Sequence, residues 1–112
     1  MLARKHRATR IDIENAIKGG FNIDSAFVYA KISRKEPKTA GFAIVVSKKV
    51  EKTSVGRHLI KRRISDALEK NLSKISPSFK KTVVFFAKKQ EKVPEYAEIR
   101  KCVEEILEKI KI

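Results

Sequence analysis

Between Ser47 and Ile64 the chain reads SKKVEKTSVGRHLIKRRI, and most of the side chains there that can do chemistry are cations. Lys48, Lys49, Lys52, Arg57, Lys61, Arg62 and Arg63 stand against a single acid, Glu51, and His58 adds an imidazole. The chemistry open to such a set is recognition of phosphate. A guanidinium offers phosphate oxygens a planar fork, and an ammonium offers a mobile point charge. Bond-breaking chemistry has no comparable signature. There is no carboxylate cluster with the spacing of a two-metal site, and no recognisable Cys/His or Ser/His motif. Cys102 is the one cysteine, and His6 and His58 are the two histidines, so neither zinc-site spacing nor an internal disulfide framework is available.

These cations belong to folded elements, because apolar residues recur among them at regular intervals. The run Phe42–Ser47 reads as a strand too apolar to face water on both sides. A helix is predicted from near Ser54 or Val55 to about Leu72, with Ile60, Ile64, Ala67 and Leu68 as its buried stripe. On that helix positions 57, 61 and 65 stack, as do 58 and 62. Arg57, His58, Lys61, Arg62 and Ser65 are therefore expected to form one polar surface beside the stripe, with Lys48 and Lys49 converging on it from the strand exit. Leu59 is expected to pack. A merely solvated helix face would intersperse acids, yet none stands between Lys52 and Ser65; Asp66 and Glu69 resume only after the cluster.

The other elements follow from periodicity and caps. A first helix fits about Arg10–Lys18, with Thr9 as N-cap, Asp12 completing a weak capping box, and Ile13, Ala16 and Ile17 as its stripe. Gly19-Gly20 stops it. In Ser25–Ile32, Phe27, Tyr29 and Lys31 are expected on one strand face and Val28, Ala30 and Ile32 on the other. A turn-like SRKEPKTAG then suggests an antiparallel hairpin with Phe42–Ser47. After a break at SKISPS comes a third clear strand, Thr82–Lys88. Pro94, Glu95 and Glu98 open a last helix with apolar residues Ile99, Cys102, Val103, Ile106 and Ile110, and Lys109 and Lys111 close it. Cys102 reads as a buried thiol. The order is α-β-β-α-β-α, with an extra short strand around Phe21–Ile23. That predicts an α+β two-layer sandwich, a small, mainly antiparallel sheet of about four strands with helices against it.

Charge defines the class of partner. The 112 residues suit one domain over 1–112, with a mobile basic segment expected at 1–8. The formal net charge is +14. Residues 91–112 hold six acids and five bases, so residues 1–90 hold the remaining 22 bases and seven acids, a net of +15. Self-repulsion of that size opposes compactness and points to a polyanion: RNA, DNA or an acidic membrane surface. The longest apolar run, Val83–Ala87, is far short of a membrane span, and the basic N-terminus lacks the apolar core of a signal peptide. An intracellular, cytoplasmic protein is expected.

The segment FAIVVSKKVEKTSVGRHLIKRRI also resembles the signature of the protein subunit of bacterial ribonuclease P. That family shows a strand, Ser-Lys-Lys, a connector, then Arg-Asn-Arg, an apolar residue and Lys-Arg. Ser47-Lys48-Lys49 matches the first part; Arg57, Lys61 and Arg62 match the second, with His58 and Leu59 in place of Asn and Arg. The likeness extends over nearly the whole chain, from HRATR and IDIENAIKGG through FVYAKI and VVFFAKK to the last helix. It implies the ribosomal protein S5 domain 2-like fold. It also implies a role beside a catalytic RNA that cleaves precursor tRNA with Mg²⁺, the ion being bound mainly by that RNA. The resemblance assigns Lys48, Lys49, Lys52, Arg57, His58, Lys61, Arg62 and Arg63 to the catalytic RNA. It assigns Ile13, Ile17, Phe27, Tyr29 and Lys31 to a cleft for the single-stranded 5′ leader, with Ile13 and Ile17 where the family tends to place aromatics. No protein partner or membrane is expected. A ribosomal or other structural RNA-binding protein, or a stand-alone nuclease, are the rival readings.

Overall fold

Thr9 sets the start of the first element. In the computed structural model, which describes residues 7–33, 41–71, 81–89 and 95–110, its Oγ accepts the amide of Asp12 at 3.3 Å and opens α1 (Arg10–Gly19). The order continues β1 (Phe21–Asp24), β2 (Val28–Ile32), β3 (Gly41–Val45), α2 (Ser54–Asn71), β4 (Thr82–Ala87) and α3 (Tyr96–Lys109). The extra strand expected near Phe21 is thus β1. The basic residues before Arg7, the charged turn after Ser33, the SKISPS break, Pro94 and Lys111 lie outside the described residues.

The four strands form one sheet in the order β1-β2-β4-β3. β1/β2 and β2/β4 are antiparallel, but β3 runs parallel to β4. The expected hairpin between the second and third strands is therefore not formed: β4 lies between them. The reason is in β4 itself. Thr82, Val83, Val84, Phe85 and Ala87 are all buried, a demand that only an interior strand covered on both faces can meet. A parallel neighbour needs a crossover, and α2 supplies it.

The sheet is covered unequally. On one face Val28, Ala30, Ile32, Phe42, Val83 and Phe85 pack with Ile60, Ile64, Ala67 and Leu68 of α2 and Ile99, Cys102, Val103 and Ile106 of α3. These helix stripes are the ones the periodicity predicts, with Leu107 buried in addition and Ile110 half-buried. On the other face, among the described residues, α1 is the helix applied, against β4 and β2, with Ala16 and Val84 fully buried. Gly20 allows this approach, since a Cβ there would collide with the carbonyl oxygens of Ala16 and Ile32. The outer edge of β3 is met by the N-terminal segment: Arg7 bridges to Phe42, and the Ala8 amide donates to the Phe42 carbonyl at 2.9 Å.

The turn between β1 and β2 is tied to α3 and to the end of β4. Ser25 Oγ donates to Glu105 Oε2 at 3.2 Å, Lys88 Nζ donates to the Ser25 carbonyl at 2.6 Å, and the Phe27 amide donates to Cys102 Sγ at 3.4 Å. Lys109, at 3.0 Å, and Ser25 hold the Glu105 carboxyl below the usual carboxylate range. These ties fix where β2 begins and hence which face Tyr29 takes.

Candidate nucleic-acid interface

The connector from β3 to α2 is built to present cations. The Ser47 carbonyl accepts the amides of Val50 at 3.1 Å and Glu51 at 3.2 Å, closing a turn that exposes Lys48 and Lys49. Glu51, the one acid of the stretch, turns its Oε1 onto Thr53, accepting its amide and hydroxyl at 3.2 Å each. Thr53 Oγ in turn accepts the Gly56 amide at 3.0 Å and caps α2. Arg57 is half-buried, and its Nη1 donates to the carbonyls of Glu51 at 3.0 Å and Lys52 at 2.8 Å. Part of the Arg57 guanidinium is thus a strut that stiffens the connector under Lys48, Lys49 and Lys52.

Along α2, His58, Lys61 and Arg62 are exposed. Arg62 Nε lies 4.0 Å from Asp66 Oδ2, with both side chains open to solvent. An exposed pair at that distance contributes about 0–1 kcal/mol, so it leaves Arg62 available to phosphate. Two expectations change. Ser65 is buried at 2% exposure and does not join the polar surface, whereas Leu59 stays 38% exposed where packing was expected. Arg63 is half-buried and stands about 160° round the helix from Lys61, on the opposite flank. The α2 cations therefore divide. Arg62 points outward, while Lys61 lines a cavity of about 310 Å³ with Arg7, Ile13, Ala43 and Ser65 at the β3 edge.

Ala43 of that cavity pairs with Val84 and so lies on the sheet face that α1 covers. Register places Tyr29 opposite Phe86 and Lys31 opposite Val84, so all four share this face. The Tyr29 and Phe86 rings stack at 5.0 Å with 9° between their planes, and Lys31 Nζ stands 5.9 Å from the Phe86 centroid. On α1, Ile13 is half-buried and Ile17 is 43% exposed. Phe27 falls elsewhere. It precedes β2 and packs against the core under α3, so the alternation expected from Phe27 to Lys31 holds only from Tyr29 onward.

Phe86 is a residue of this face that the sequence analysis did not single out. Its signal lay in the pairing of β2 with β4, which the expected hairpin concealed. The arrangement can hold single-stranded nucleic acid: an aromatic pair for stacking, a neighbouring ammonium, and apolar side chains along one wall.

Comparisons with known proteins agree with this architecture. The family model described as Ribonuclease P matches residues 2–111 of the chain. Among solved structures, the fold is similar to the Staphylococcus aureus RNase P protein at 2.0 angstrom, with 23% identity, a TM-score of 0.78, and coverage of 96% of this chain and 96% of that one. A second S. aureus RNase P protein structure shares 22% identity at a TM-score of 0.77, covering 100% of this chain and 94% of that one. A third similar structure is an S. aureus RNase P protein mutant with defective mRNA degradation activity, at 21% identity and a TM-score of 0.77 over 96% of this chain and 90% of that one. At these identities the structures speak for the fold. No curated protein sequence matches the chain. No described helix is long and apolar enough to cross a membrane.

Proposed function

The chain belongs to the ribonuclease P protein family, and from that premise we propose that it uses two separate surfaces for two RNAs, one catalytic and one substrate. It is an RNA-binding subunit of the ribonucleoprotein that processes the 5′ end of tRNA. In this reading Lys48, Lys49, Lys52, His58 and Arg62 dock on the catalytic RNA, with Arg57 bracing the connector and contributing donors at its edge. Arg63, on the far flank of α2, takes a peripheral part. Tyr29, stacked on Phe86, receives a base of the single-stranded leader. Lys31 faces its phosphate, and Ile13 and Ile17 form the opposite, apolar wall. Phe27 acts beneath the cleft by fixing the start of β2. Lys61, at the cavity between α1 and β3, connects the two surfaces.

The single observation that carries the reading is the exposed, cation-rich connector and helix held rigid on a packed sheet. Bond breaking falls to the RNA. The Mg²⁺ that assists it is bound mainly by RNA oxygens, the hard ligands this ion prefers. Several of the described carboxylates are engaged elsewhere. Glu51 is turned onto Thr53, Asp24 pairs with Lys88, Glu104 with Arg100 and Glu105 with Lys109. The protein's contribution is to neutralise phosphate repulsion and to position the leader, in the cytoplasm and without a further protein partner.

The test is reconstitution with the cognate catalytic RNA at low Mg²⁺. Adding the protein is expected to raise cleavage of precursor tRNA at the leader junction by at least about tenfold, the scale of relieving one phosphate–phosphate repulsion. The RNA-free protein is expected to leave the precursor intact. Efficient 5′ processing by the RNA-free protein, or no stimulation of the RNA, would overturn the reading.

A further inference from the structure

We propose that Val55 and Leu59 form an apolar contact that seats an unstacked base of the catalytic RNA within the cationic face of α2. The inference rests on the docking role given to α2 above. Val55 is 79% exposed and Leu59 38% exposed, although both lie on a helix whose buried stripe is complete without them. They stand one turn apart and meet side by side. Arg62 completes their face, and the three residues fall within an arc of about 60°. Lys52 and His58, both exposed, flank the pair. An apolar spot this open, at the centre of a cationic face, suits a ligand that combines an apolar surface with negative charge.

Charge selects the occupant. A second copy of this chain, at a formal +14, would be repelled from the same face. A regular RNA duplex offers phosphates and 2′-hydroxyls, which satisfy Arg62 and Lys52 but would leave the Val55 and Leu59 methyl groups wet. An unstacked base offers an apolar face together with its own phosphate, and single-stranded bulges and loops are where RNA splays such bases out. Leu59 stands where the resembling signature has Arg.

The test compares V55S/L59S with R62A in titrations of the cognate catalytic RNA across a range of KCl concentrations, with thermal melts checking that each variant is folded. V55S/L59S is expected to weaken binding about tenfold, because partly buried aliphatic surface is removed, with the salt slope unchanged. R62A is expected to flatten that slope by about one unit. A base-reactive probe should find one or a few nucleotides protected by the wild-type protein and released by V55S/L59S. If V55S/L59S binds as the wild type does while R62A is weakened, this inference fails and the docking role of α2 stands. If R62A also changes neither affinity nor slope, the docking role fails with it. Sedimentation showing an RNA-free dimer that V55S/L59S dissociates would identify a second copy as the occupant and overturn the inference.

Discussion

Exchanging Lys48, Lys49, Lys52 and Arg62 together for Ala is expected to lower affinity for the catalytic RNA by about a thousandfold at physiological salt, taking about 1 kcal/mol for each cation–phosphate pair removed. The salt dependence should fall with it. Each neutralised phosphate contributes close to one unit to the logarithmic slope, so removing four cations should flatten it by about four. The fold should survive the exchange. All four side chains are exposed, and the pair Arg62 makes with Asp66 among the described residues is a long one, 4.0 Å. The measurement is equilibrium titration at four or more KCl concentrations, with the unfolding midpoint of the free protein as control. An unchanged slope would place the connector and the outward face of α2 away from the RNA.

The second large effect concerns the cleft. Tyr29→Ala is expected to reduce binding of leader-bearing precursor by about ten- to a hundredfold, the scale of removing a base–aromatic stack at roughly 1–3 kcal/mol. Binding of mature tRNA, which has no leader, should change little. Phe86→Ala should act in the same direction, because the Tyr29 ring is stacked at 5.0 Å on the one it removes. The check is competition between precursor and mature tRNA for the holoenzyme. Equal losses for both would remove Tyr29 from the leader site. The different salt behaviour of the two sites separates them further: the α2 variants should respond steeply to KCl, the cleft variants weakly.

Local signals in the sequence were sufficient wherever one element determined the outcome. The Thr9 cap, the Ile60/Ile64/Ala67/Leu68 stripe and the Ile99/Cys102/Val103/Ile106 stripe are encoded within single helices, and all form as their spacing predicts. Strand partnership is a property of two distant segments, and there the reading by neighbourhood failed. The second and third strands looked like a hairpin, yet the demand of β4 to be buried on both faces places it between them. Two differences at the site follow from where the strands lie. Phe86 joins Tyr29 only because β2 pairs with β4, and Phe27 leaves the cleft because β2 begins at Val28, after the turn tied to Glu105 and Cys102. On α2 the cations were legible by type but less so by direction. Arg57 is drawn partly inward by two backbone carbonyls supplied by the connector, and Ser65 is buried beside the cavity that Lys61 lines. Neither follows from helical periodicity alone.

The claim that one small fold keeps two RNAs on two surfaces is tested most directly by site-specific photo-crosslinking in the assembled holoenzyme. A photoreactive group is placed in turn at position 62 and at position 31, with leader-labelled precursor bound. Position 62 should crosslink to the catalytic RNA and not to the precursor, and position 31 to the 5′ leader and not to the catalytic RNA. Crosslinks from both positions to the same RNA, or from position 31 to the body of the tRNA alone, would contradict it.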